Sequence, residues 1–144
     1  MSRLRLIAVR ASIGWLETAG SLAAFFCALW FVSPVLRAKV APFALFYYAL
    51  TLIVCGSAIY FLSVLLATFL DDMWRMFGTM IAAGAFGWLS YKFSLPASVD
   101  FIRVTGKNSP LYAHSMPWSA MAFSLVLSAA FFYAALKIAQ VREY

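Results

Sequence analysis

An acid inside an apolar stretch is costly unless it has a partner or meets water, and Glu17 is such an acid, set in WLETAGSLAAFFCALWFV. It could hand a proton across a bilayer, or, standing only seven residues after Arg10, it could reach a membrane interface. No buried His, Asp, Arg or Lys within the apolar blocks faces it, so no catalytic constellation is expected. The single histidine, His114, has no second His, Cys or close carboxylate at ligand spacing, and Cys27 and Cys55 lie inside apolar blocks without CxxC spacing. They read as buried small hydrophobes, and no metal or cofactor site is expected. Asp71 and Asp72 precede an apolar helix, where its dipole favours anions, which accounts for them structurally.

The elements that must position these residues are four apolar blocks at about 13–33, 42–70, 74–94 and 117–139, each long enough to cross the ~30 Å hydrocarbon core of a bilayer. The run from Pro42 to Leu70 contains no charge at all and stops at Asp71-Asp72. Ser33-Pro34 ends the first block, because proline disfavours helix at the residue before it. The Asp71-Asp72-Met73 link is so short that blocks two and three must form an antiparallel hairpin. Residues 2–12 carry Arg3, Arg5 and Arg10 among Leu, Ile and Val, which suits a short interfacial helix, with a solvated leader as the alternative. No small-x-small cleavage site follows, so the first block is read as an uncleaved span.

The composition requires this class: 65% hydrophobic against 11% charged residues would leave a water-soluble domain of 144 residues with far more apolar surface than it could bury. The fold class is therefore all-α, a single integral membrane bundle (1–144) of four transmembrane helices with a short N-terminal interfacial segment. The net charge of +6 sits between the blocks and not along one face, so no nucleic-acid partner is expected; membrane lipid is. With the N-terminus cytoplasmic, Arg3, Arg5, Arg10, Arg75, Lys137 and Arg142 fall inside and Arg37, Lys39, Lys92, Arg103 and Lys107 outside. This bias puts both termini in the cytoplasm.

Small residues mark faces where helices approach closely in lipid: Gly78, Ala82, Ala83, Gly84 and Gly87 on the third helix, and Ala120, Ser124 and Ser128 on the fourth. Packing within the bundle, a dimer interface and a transport path all fit, and Glu17 joins these residues as a candidate path-lining group. Between these helices, about 95–116, SLPASVDFIRVTGKNSPLYAHSMPW is too apolar for a free loop. It is expected to lie on the outer membrane surface, with a short or re-entrant helix.

From Tyr48 to Tyr144 the chain resembles the C-terminal portion of a type-2 ABC-exporter permease. The likeness rests on three features in order: SVLLATFLDD turning straight into WRMFGTMIAAGAFGWLSY, a proline-bearing outer stretch, and a Pro-Trp start MPWSAMAFSLVLSAAFFYAAL running into the tail KIAQVREY. The resemblance implies the bacterial inner membrane, a cytoplasmic C-terminus, a second permease chain and a separate ATPase subunit. Arg3, Arg5, Arg10, Asp71, Asp72 and Arg75 would form the surface coupled to that ATPase. No Walker A glycine-lysine loop occurs here, so ATP hydrolysis would belong to the partner. The family's first two helices are missing, which makes the chain a fragment, a split subunit or a small protein of similar profile. Small multidrug-resistance proteins also have four helices and an acid in the first, but the rest of their pattern is absent. The alternative is a small non-transporting membrane protein that acts as an accessory, assembly or immunity factor by helix-helix binding.

Overall fold

With no proline before Pro34 to interrupt it, the chain forms one continuous helix, α1 (Arg3–Val32). The computed structural model describes residues 3–34, 41–96, 98–102, 104 and 115–141; the side chains of Arg3, Leu4 and Asp72 lie outside that set. The arginine-bearing segment is therefore not a separate element but the first turns of α1, which at 30 residues is about 45 Å long. Its end is closed by Ser33, whose amide donates to the Leu29 carbonyl and whose hydroxyl donates to the Trp30 carbonyl.

Helix α2 (Pro42–Leu66) opens with proline at its first position, where the missing N–H would have had no partner, after an extended Ala41. It stops four residues before the charge-free run does. The Thr68 hydroxyl and amide both take the Leu65 carbonyl, and the Phe69 and Leu70 amides both take that of Leu66. The chain is thereby wound into a turn over 67–70. Extended Asp71 then leads into α3 (Asp72–Phe93). The α2–α3 hairpin is thus present, with its turn placed earlier than Asp71-Asp72-Met73. Ser94 ends α3 in the left-handed conformation at φ 46°.

Residues 98–102 and 104 fold back onto the bundle and do not lie apart from it. Phe101 and Val104 are buried, and the Phe101 ring stacks between Phe86 of α3 and Phe123 of α4, at 5.0 and 6.4 Å. Buried Asp100 accepts a hydrogen bond from buried Ser90. The rest of the expected surface stretch, 105–114 with His114, lies outside the described residues, as do Arg37, Lys39, Arg103, Lys107 and Arg142. After Pro117, α4 (Trp118–Val141) completes the bundle.

The bundle is built on the α2–α4 pair, which makes the most extensive contact; α1 lies against both and α3 mainly against α2. The core gathers Cys55, Ala58, Phe101, Ala120 and Met121. Among the described residues all regular structure is helical, with four helices and no strand. Three of them, α1, α2 and α4, are long and apolar enough to cross a membrane, with mean hydropathy of 1.5, 2.3 and 1.8. Helix α3 is long enough at 22 residues, but Arg75, Lys92 and its glycines hold it below that mark, so three helices, not four, carry the expected spanning signature.

Candidate functional site

Two cationic residues far apart in sequence meet at one end of the bundle. Arg10 of α1 and Arg75 of α3 line a cavity of about 480 Å³ with Tyr60, Ser63 and Thr68 of α2, and with Ile7, Ala11, Val64, Ala67 and Ala139. The geometry follows from the hairpin. Because α3 begins at Asp72, Arg75 sits in its first turn, beside the end of α2, and Arg10 lies in the early turns of α1 alongside.

Tyr60 ties α1 to α2 at this cavity. Its hydroxyl donates to the Ala11 carbonyl at 3.0 Å, and Gly14, one turn on, leaves the room that the phenol occupies; a Cβ at position 14 would collide with the Tyr60 oxygen. The Thr68 hydroxyl proton is already given to the Leu65 carbonyl. Arg10, Arg75 and Ser63 also line the cavity, and the Ser63 hydroxyl makes no hydrogen bond among the described residues. Among the described residues no carboxylate lines the space. Among the described residues the wall holds no pairing of nucleophile and base.

The other candidate residues divide by contact. On α4, Ala120 and Ser124 are fully buried and Ser128 nearly so, all against α2. The Ser124 hydroxyl reaches the Val54 and Cys55 carbonyls at 3.0 and 3.1 Å, and Ser128 Oγ lies 2.7 Å from Ser57 Oγ. These residues pack the bundle. On α3, Gly78 faces Leu66 and Leu70 of the hairpin, whereas a Cβ at Gly84 or Gly87 would meet nothing, and Ala82 is half-buried. Glu17 is exposed on α1 and lines neither this cavity, nor an apolar groove of about 340 Å³ between α1 and α2 beside Phe26 and Trp30, nor a 70 Å³ recess beside Trp15. Arg5 and Asp71 are exposed at the cavity's end of the bundle, while for Arg3 and Asp72 only the backbone is described.

Cys55 is buried as expected, but Cys27 is exposed, and both are free thiols. Among the described residues no three His, Cys, Asp or Glu side chains gather as metal ligands. Tyr60, Ser57 and Ser63 escaped the sequence reading. A signal for them exists, since hydroxyls inside an otherwise apolar span point to where a neighbouring helix or a polar cavity stands. Comparison with family models, characterised proteins and solved structures finds no match.

Proposed function

We propose that the chain is the membrane-spanning part of an ATP-driven exporter of the type-2 ABC class, driven by a separate ATPase and working beside a second permease chain. In this reading it does no chemistry of its own, sits in the bacterial inner membrane and crosses it four times, α3 included, with both termini in the cytoplasm. The observation that carries it is the convergence of Arg10, Arg75 and the α2–α3 turn at one end of the bundle, which supports a single cytoplasmic coupling surface. The ordered likeness after Tyr48 supplies the class. The α2–α4 seam is closed by Ser57, Ser124 and Ser128, so a substrate path belongs between chains and not through this one.

Affinity purification of the full chain from its native membrane tests this. An ATPase subunit should copurify, and Arg10→Glu with Arg75→Glu should release it. A stable complex without an ATPase, and without ATP-dependent transport in vesicles, overturns the proposal.

A second reading, a non-transporting factor that binds another membrane protein, is favoured by the open space over Gly84 and Gly87. Close approach of a foreign helix needs such a face. Crosslinking from Gly84→Cys should then trap a different protein; trapping only a second copy or an ATPase-bound permease rejects it.

A further inference from the structure

We infer that the exposed tryptophans and tyrosines at the end of the bundle away from Arg10 and Arg75 form one belt, to which all four helices contribute, and that the surface this belt fits is the headgroup boundary of a lipid bilayer. The inference deepens one part of the proposed function, the four crossings, and rests on that part alone; neither the ATPase nor transport enters it.

Three observations carry it. First, packing puts the belt residues at one level. Trp30 of α1 lines a groove with Pro42 and Phe46 at the start of α2, which sets it level with Tyr47. One turn further along α2, the Thr51 hydroxyl lies 4.0 Å from the sulfur of Met116, just before α4 begins at Trp118. Phe123 of α4 and Phe86 of α3 flank the same Phe101 ring, and Trp118 and Trp88 stand outward of them on their helices. Trp30, Tyr47, Trp88, Tyr91 and Trp118 are all exposed.

Second, residue type sorts by depth. Between the two ends the exposed positions include Met80 and Ile81 on α3 and Leu125 and Val126 on α4. These have no polar tip, whereas Trp and Tyr join an apolar ring to an N–H or O–H and gather where hydrocarbon meets headgroups. Lysine follows the same order. Lys92 Nζ lies 4.8 Å from the centre of the Trp88 ring, and Lys137 Nζ lies 5.8 Å from that of Tyr133. The two pairs stand at opposite ends of the bundle, because α4 runs back until Ala139 lines the cavity of Arg10 and Arg75. A long cation over a ring keeps its stem in apolar surroundings while its charge reaches toward phosphate.

Third, the spacing fits. Arg10 to Trp30 covers about 30 Å of α1 and Trp118 to Lys137 about 28 Å of α4, against a hydrocarbon core of ~30 Å. On α3, Arg75 and Lys92 are about 26 Å apart, a gap that two long side chains reaching outward make up. Helix α3 thus carries at both ends the anchors of its neighbours, although its hydropathy does not mark it as a span. A helix lying along one surface would hold Trp74, Ile81 and Trp88 at a single depth.

The test reads depth. The full chain is reconstituted in phosphatidylcholine vesicles whose lipids carry bromine either near the glycerol or near the acyl-chain ends, and each bromine quenches tryptophan at its own depth. In variants that keep one tryptophan, the others being changed to Phe, Trp30, Trp88 and Trp118 should each be quenched more by the shallow bromine. Ile81→Trp in a chain without other tryptophans should reverse that order. Far-ultraviolet circular dichroism reports folding, and a second series keeps the native tryptophans. With Cys27→Ser to remove the exposed thiol, a polarity-sensitive maleimide dye on Tyr47→Cys and on Tyr91→Cys should emit alike, and to the red of the same dye on Ile81→Cys.

Three different depths for Trp30, Trp88 and Trp118, with Ile81→Trp deep, overturn the belt and leave the crossing of α3 standing. A shallow Ile81→Trp overturns the belt and the four crossings together. Tryptophans at the belt that neither bromine quenches are covered by protein, a second copy or another chain, and that result also overturns the inference. The dye series is read in the same way. Copurification of an ATPase is scored separately, so the exporter reading can fail while the belt holds.

Discussion

Tyr60 holds two helices together with one hydroxyl, and Gly14 makes the contact sterically possible. Gly14→Ala should therefore destabilise the folded chain by about 1–3 kcal/mol, because the new methyl drives the phenol off the Ala11 carbonyl. Tyr60→Phe alone should cost about 0.5–1.5 kcal/mol. In the double variant most of the clash is gone, so the two losses should fall well short of adding; unfolding in mixed detergent micelles measures the non-additivity. Additive losses would mean that the two residues do not touch. Ser57 and Ser128 pose a second question at this scale. Their oxygens lie 2.7 Å apart, and each is also within 2.7 Å of a carbonyl in its own helix, Val54 and Ser124 respectively. Two hydroxyl protons serve three contacts, so one carbonyl contact goes without a proton when the interhelical bond forms. A double-mutant cycle with Ser57→Ala and Ser128→Ala should accordingly give a modest coupling of about 0.6 kcal/mol, within the ceiling of about 1.7 found for such pairs in membranes. No measurable coupling would mean that packing alone closes the seam. Ser128 could be picked out in sequence from its four-residue spacing with Ala120 and Ser124, but its partner Ser57 could not. Pairing across 71 positions depends on which faces of α2 and α4 meet, and an almost uniformly apolar helix carries no stripe to say so.

Along α3, small residues at similar spacing have two different surroundings. A side chain at Gly78 would press on Leu70 and Leu66 at 3.2 and 3.4 Å, whereas at Gly84 it would meet open space. Gly78→Leu should therefore loosen the α2–α3 hairpin by about 1–3 kcal/mol, while Gly84→Leu should change the isolated chain by no more than about 0.5 kcal/mol. Thermal unfolding of the purified chain separates the two. If Gly84→Leu leaves stability intact yet abolishes a complex seen with the parent, the bare face of α3 is where the partner binds. Sequence spacing identified the face without dividing it, because the division depends on where the hairpin brings α2 alongside. The start of α2 at Pro42 was legible from that residue's fixed backbone angle. Its end was not, since absence of charge continued to Leu70 while the hydrogen bonds of Thr68, Phe69 and Leu70 had already turned the chain.

At the scale of the whole molecule, the open question is the path of α3. Its 22 residues measure about 33 Å, enough to cross, yet its hydropathy falls below that of α1, α2 and α4. With Cys27→Ser to remove the exposed thiol, Asp71→Cys and Lys92→Cys should react with an impermeant maleimide from opposite sides of sealed vesicles. Reaction from the same side would mean that α3 lies along one surface and that the chain crosses three times. Composition alone sufficed to indicate a helical chain with helices long and apolar enough to cross a membrane. The cavity did not emerge from it: Arg10 and Arg75 stood out singly as cations, but their meeting beside Tyr60 is a product of three helices packing. The α2–α4 seam also has a consequence in time. Its closing hydroxyl pair is separated by 71 positions, so at about 5–20 residues per second the ribosome needs roughly 4–14 s to supply Ser128 after Ser57. Through that interval Ser57 has no partner from α4. The newborn chain is most exposed to quality-control proteases then, and a chain cut short after Phe93 would never leave that state.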